Sequence, residues 1–125
     1  MRHAPMRWNV VVPRLLAAAP TDTVADVLAR MDEHGITQMP VIEEGRAVGA
    51  VRENRLLAKV LGNRDRLQAP VSEVMEESFP VVDVDAGAPE VTRLLRRGPA
   101  VLVEEYGRIT GIITRHDMLE VRAGK

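Results

Sequence analysis

At 125 residues and a formal net charge of −1, the chain is long enough for one compact unit or two small halves sharing a core, and carries no overall pull toward nucleic acid or an anionic membrane. Hydrophobic residues make up 46% and charged residues 28%, an ordinary globular balance; the absence of cysteine excludes disulfides, thiolate catalysis and cysteine-ligated metals. No apolar run approaches a membrane span and Met1 to Arg7 lacks the apolar core of a secretion signal, so a cytoplasmic protein is the default expectation.

In chain order, Met1 to Trp8 reads as a leader that Trp8 could anchor, and Val10 to Ala19 as extended pieces interrupted by Pro13. Thr23-Val24-Ala25-Asp26 has the form of a capping box, and Val24, Val27, Leu28 and Met31 follow on one helical stripe that Gly35 ends. Met39 to Ile42 is expected as a buried strand, Glu43 to Arg46 as a turn and Ala47 to Val51 as a second strand. A helix from about Asn54 to Leu61 ends at Gly62, and Asn63 to Ala69 is a polar linker.

The pattern then returns. Val71 to Glu76 suggests a short helix capped by Ser72, and Phe79 to Val84 a strand. Pro89 opens a helix carrying Val91, Leu94 and Leu95, which Gly98 closes. Ala100 to Val103 is a strand, Glu104 to Gly107 a turn, Arg108 to Ile113 a strand, and Thr114 starts a last helix. Laid over each other, Met39 to Gly49 matches Ala100 to Gly111 with one extra residue, Tyr106, in the second turn. The expectation is an α/β (α+β) fold of two pseudo-symmetric repeats, each a small sheet with two packed helices, with residues 1–17 as leader, 18–62 as first repeat, 63–70 as linker and 71–123 as second repeat.

Chemistry concentrates at Gly111-Ile112-Ile113-Thr114-Arg115-His116-Asp117, where a strand runs into a helix. An ionised Asp117 is acceptor-only and can take two O–H donors, which suits a ribose diol. The same Thr-x-x-Asp spacing is close to a capping box, worth about 1 kcal/mol without any ligand. His116 lies beside it, and a solvated helix position is the commoner role for such a residue. His3, His34 and His116 show no metal-ligand spacing. The pairs Glu43-Glu44, Glu76-Glu77 and Glu104-Glu105 fall in turns or linkers and read as solvated surface. No phosphate loop, nucleophile elbow or activated base is present, so no enzymatic activity is expected.

The tandem repeat resembles a pair of cystathionine β-synthase-type (CBS) domains, a Bateman module. The likeness rests on Gly111, Thr114 and Asp117, on Thr23 to Met31, on Gly35 to Val41 and on Gly45 to Gly49. Gln38 to Val41, Leu56-Leu57-Ala58 and Gly98 to Val101 are similar to the C-terminal regulatory region of bacterial cystathionine β-synthase-like enzymes. The resemblance implies a homodimeric regulatory module that binds an adenosyl effector (S-adenosylmethionine, AMP, ADP or ATP) between its repeats. It needs no other cofactor, metal, nucleic acid or membrane, and acts on an enzyme in cis or in trans. Carried over, Asp117 meets the ribose hydroxyls and Thr114 the ribose or first phosphate. Ile113, Arg115 and His116 flank them, while backbone around Ile36, Thr37, Gln38 and Met39, with Ala19, edges the adenine. The other junction departs from the family pattern: Gly49 is kept, but Arg52 and Arg55 replace the hydroxyl and carboxylate, with Pro99 facing them. Arginine accepts no hydrogen bond, leaving that cleft empty, filled by its own arginines or adapted to phosphate. The alternative from another class is a ligand-independent dimerisation module.

Overall fold

A capped helix opens the structure, a computed structural model that describes residues 15–117. Thr23, extended at φ −75° and ψ 155°, accepts the Asp26 amide and starts α1, Val24–His34. Gly35 ends it at φ 64°, donating to the Asp32 carbonyl, and the Ile36 amide reaches back to Met31. Those two bonds form a Schellman motif, which only a residue at ease in the left-handed region closes without strain. Val24, Val27 and Met31 are fully buried beneath.

From there the chain forms a hairpin, β1 (Gln38–Glu43) against β2 (Arg46–Arg52), and a second helix, α2 (Glu53–Gly62). A parallel bridge joins Ala18 to Val41 on the other edge of β1. Short 3-10 turns at Arg64–Gln68 and Val71–Glu73 follow. The later half repeats the order with β3 (Val81–Asp83), α3 (Ala88–Arg97), β4 (Ala100–Glu105) and β5 (Arg108–Thr114), in a mixed sheet ordered β3-β4-β5. Residues 115–117 begin the last helix. The expected leader, Met1 to Trp8, the extended segment before residue 15 and the remainder of that helix lie outside the described residues.

The described residues form two units, Leu16–Ser78 and the residues from Phe79 on, each with its own core. In the first, Ala18, Val27, Met31, Met39, Val41 and Val51 cluster with Leu56 and Val71. In the second, Val82, Val91, Leu95, Val101, Val103 and Ile113 fill the matching positions.

The hairpins correct the alignment read from the sequence. Each turn has two residues, both at positive φ: Glu44 at 52° and Gly45 at 82°, Tyr106 at 54° and Gly107 at 78°. Each second strand carries its bulge at the same place, with Val48 and Thr110 as the extra residues, where the register shifts after Val41 and after Val103. The hairpins therefore correspond at one constant offset, Gln38 to Ala100 and Arg52 to Thr114. Tyr106 is no insertion; it is the counterpart of Glu44. The length difference lies between helix and hairpin, where Gly35, Ile36 and Thr37 are matched by Gly98 and Pro99 alone. Matching the glutamate pairs had shifted β4 by one residue, because glutamate identity is not what a two-residue left-handed turn demands.

Pro40 explains the shorter sheet of the first unit. Leu102, its counterpart, donates its amide to the Pro80 carbonyl at 2.8 Å and so extends the parallel pairing of β3 with β4. Proline has no amide to give. On the equivalent edge Ala18 is the one residue held among those described, through its amide to the Pro40 carbonyl and its carbonyl to the Ile42 amide, both 2.9 Å.

Residues 63–78 also pack within the first unit. Val71 is fully buried in that core, and its amide reaches the Asp22 carbonyl at 2.7 Å. Farther on, Ala50 and Glu76 exchange both backbone bonds, at 3.0 and 2.8 Å. Gly49 makes room: a Cβ there would stand 3.1 Å from the Glu76 carbonyl and closer still to the Met75 side chain. The residue expected as a helix cap, Ser72, lies inside the 3-10 turn, which starts after Pro70 and has no side-chain cap. Its amide bonds the Pro20 carbonyl instead.

Val71→Ala should lower stability by about 2 kcal/mol, read from the urea midpoint, because it empties a buried core position. A change near zero would mean that residues 71–78 are not part of that core. Tyr106→Asn should raise stability by about 0.5–1 kcal/mol, since asparagine tolerates the left-handed turn position better than tyrosine.

Candidate functional site

Each unit brings its chemistry to the point where its hairpin ends. In the second unit, Ile113 is fully buried opposite Val101, and Thr114 is the last residue of β5. The chain turns there into a helix, and Asp117 folds back. The Thr114 amide donates to Asp117 Oδ2 at 2.8 Å and the Thr114 hydroxyl donates to the same oxygen at 3.1 Å. In return the hydroxyl accepts the Asp117 amide at 3.3 Å.

This is a reciprocal capping box, the structural alternative visible in the sequence. It also defines what remains for a ligand. Both contacts fall on Oδ2, and among the described residues Oδ1 accepts nothing. A diol would therefore bind through the two lone pairs of Oδ1, not through one oxygen for each hydroxyl.

Arg115 adjoins this junction with its side chain turned toward α3. Its Nε donates to the Leu95 carbonyl at 2.6 Å, satisfying an orphan acceptor in the last turn of that helix. Among the described residues its terminal nitrogens have no acceptor. His116 is exposed, and Pro99 is half-buried between Gly98 and β4.

The first unit holds the residues expected at the adenine edge and at the equivalent junction. Ile36 is half-buried, packing against the core as the residue after the Schellman glycine. Met39 is fully buried, so only its backbone is available for recognition. Thr37 is exposed and Gln38, opposite Arg52 in the hairpin, half-buried. Ala19 is exposed and its amide bonds Asp22 Oδ2 at 2.9 Å. The Thr37 carbonyl accepts the Glu53 amide at 2.9 Å. That bond serves the start of α2, where the N-cap residue Arg52 makes no side-chain cap.

At this junction Arg52 stands where Thr114 stands in the other unit, and Arg55 where Asp117 stands. Arg55 Nη1 is bonded to Glu76 Oε1 at 2.8 Å. The sequence reading left Glu76 as solvated surface, and the structure corrects that. Twenty-one residues separate the partners, so no local spacing rule connects them. The one available signal was chemical: two arginines in place of a hydroxyl and a carboxylate call for a countercharge. Among the described residues no group of three or more His, Asp or Glu side chains could hold a metal ion, and no helix is long and apolar enough to cross a membrane.

A family model described as the CBS domain matches the chain twice, over residues 7–62 and 71–124. An uncharacterized protein of Methanopyrus kandleri is 28% identical over 116 residues, covering 86% of this chain and 57% of its own length. The chain thus spans little more than half of that relative, and smaller shares, from 39% down to 12%, of four others. Among solved structures, a candidate acetoin utilization protein (AcuB) from Vibrio cholerae superposes with a TM-score of 0.84 at 21% identity, over 96% of this chain and 92% of that one. A protein of Methanocaldococcus jannaschii, described as a candidate archaeal homolog of g-AMPK, superposes with a TM-score of 0.78 at 23% identity, over 92% of this chain and 47% of that one. At these identities the likeness to both structures is one of fold.

Thr114→Ala should cost about 1 kcal/mol in a urea melt, because it removes the hydroxyl that accepts the Asp117 amide. Arg52→Ala at the matching position, where no side-chain cap exists, should stay within about 0.5 kcal/mol of the wild type. Equal losses would contradict the assigned caps.

Proposed function

Because the chain belongs to the CBS-domain family and carries two copies of the domain, we propose that it is a regulatory module that senses an adenosyl compound through the Thr114–Asp117 junction. In this reading the effector is S-adenosylmethionine, AMP, ADP or ATP. The module works as a homodimer, performs no chemistry itself, and passes the signal to an enzyme in cis or in trans.

One observation carries the reading: the Asp117 carboxylate is held rigidly through Oδ2 while Oδ1 accepts nothing among the described residues. A carboxylate fixed in this way recognises a vicinal diol without paying to order its own side chain. The same charge repels phosphate, so the anionic end of a nucleotide must lie away from Asp117, where the terminal nitrogens of Arg115 can meet it. Regulation further requires that the effector bind one arrangement of the protein better than another. A tenfold difference in affinity shifts the balance by about 1.4 kcal/mol, and equal affinity shifts nothing.

A second reading, a dimerisation module that takes no ligand, draws support from the other junction. Arg52 and Arg55 offer a diol no acceptor, and Arg55 is already paired with Glu76.

Thermal melts with S-adenosylmethionine, AMP and ATP separate the two. At a hundred times its dissociation constant an effector adds about 2.7 kcal/mol, a shift of several degrees for units of this size. Asp117→Ala should abolish the shift when each protein is compared with its own ligand-free melt. No shift with any adenosyl compound favours the dimerisation module, and a shift that survives Asp117→Ala places recognition elsewhere.

A further inference from the structure

We infer that Glu76 is a built-in anionic plug of the first unit's junction, and that displacing it opens a site for an oligophosphate on Arg52 and Arg55. The inference stands apart from the adenosyl reading, because every residue it uses lies in Leu16–Ser78.

Backbone geometry comes first. The constant offset between hairpins places Arg52 and Arg55 at the positions of Thr114 and Asp117, whose side chains touch at 3.1 Å. Arg52 is extended, at φ −122° and ψ 136°, immediately before α2. The two arginine stems therefore leave neighbouring points of the same helix start. Two arginine stems that start from neighbouring points can bring their planar guanidinium forks, which match phosphate oxygens, to one anion.

Within the first unit, that arginine pair is answered by a single carboxylate. Glu76 Oε1 sits on Arg55, and Arg52 has no carboxylate partner among the described residues. Glu53, on the same turn, forms no ion pair with either arginine.

Glu76 is also delivered in a fixed way. Its backbone is pinned on both sides to Ala50, and Gly49 leaves the space that Met75 and Glu76 occupy. Two residues earlier, Lys59 Nζ holds the Val74 carbonyl at 2.8 Å. A carboxylate tethered so closely competes with a dissolved anion at a high effective concentration. The contact is nonetheless half open to water, with side-chain exposures of 50% for Arg55 and 32% for Glu76. Ion pairs of that exposure are weak, so the plug can be displaced. In the second unit the corresponding position is itself a carboxylate, Asp117, and such a plug would be repelled.

Inorganic tripolyphosphate, which contains no adenosine, is the probe. Binding is followed by calorimetry and by thermal melts at matched ionic strength. The wild type should bind weakly and Glu76→Gln at least about threefold more tightly, the gain expected from removing one partly exposed carboxylate. Glu77→Gln, with the same change in net charge one residue away, should leave binding unchanged. The gain should vanish in Glu76→Gln/Arg55→Gln and persist in Glu76→Gln/Asp117→Ala. Glu76→Asp, which keeps the charge but draws it back by one methylene, covers the case in which Glu76→Gln does not fold, and should show part of the gain. The inference is overturned if neither Glu76 variant binds more tightly than the wild type, if Glu77→Gln does as well, if the gain survives loss of Arg55, or if it depends on Asp117.

Discussion

Two consecutive residues with positive φ fold each hairpin back on itself, and the register they impose governs the rest of each unit. Because side chains alternate faces along a strand, a slip of one residue would send Met39, Val41 and Val51, or Val101, Val103 and Ile113, out of the core. The same register carries the chain to the strand–helix junction with either Thr114 or Arg52 as its last strand residue. Glycine meets the demand easily at Gly45 and Gly107. Glu44 and Tyr106 meet it at a cost in backbone strain that the paired strands around them absorb.

From one backbone plan the two junctions reach opposite chemistries. At one, a hydroxyl and a carboxylate lock onto each other and leave an acceptor oxygen outward. At the other, two cations stand at the same positions, and the helix start is served by the Thr37 carbonyl in place of a side chain. A pair of donors cannot receive a sugar's hydroxyl protons, and one of them, Arg55, is met by a carboxylate of its own chain, Glu76. The two junctions differ at two matched positions three residues apart, Thr114 against Arg52 and Asp117 against Arg55, while the turns and the core positions correspond.

Much of this was legible in local spacing. Thr23 and Asp26, the stripe Val24–Val27–Met31 and the Gly35 stop describe α1 within a residue, because helix caps and stripes are rules about neighbours three or four apart. The Thr114–Asp117 box is legible for the same reason, as is the contrast with Arg52 and Arg55. Turn chemistry was misread at Tyr106, where matching residue identities outweighed the backbone requirement that Glu44 and Tyr106 share. Ser72 was misread as a cap, because the Val71–Glu73 turn is held by tertiary bonds to Pro20 and Asp22 and needs no cap of its own.

Local spacing is enough to read the repeat, its helix ends, its hairpins and the two sets of polar residues at the junctions. Each of these is decided by steric and hydrogen-bonding preferences acting over a few residues. Long-range packing sets the rest: residues 71–78 fold back onto the first core, Pro40 shortens one sheet edge by withholding an amide, and Glu76 crosses 21 residues to meet Arg55. Contacts of that kind depend on which distant segments the burial of Val71 and the open space at Gly49 bring side by side, and no spacing along the chain encodes them.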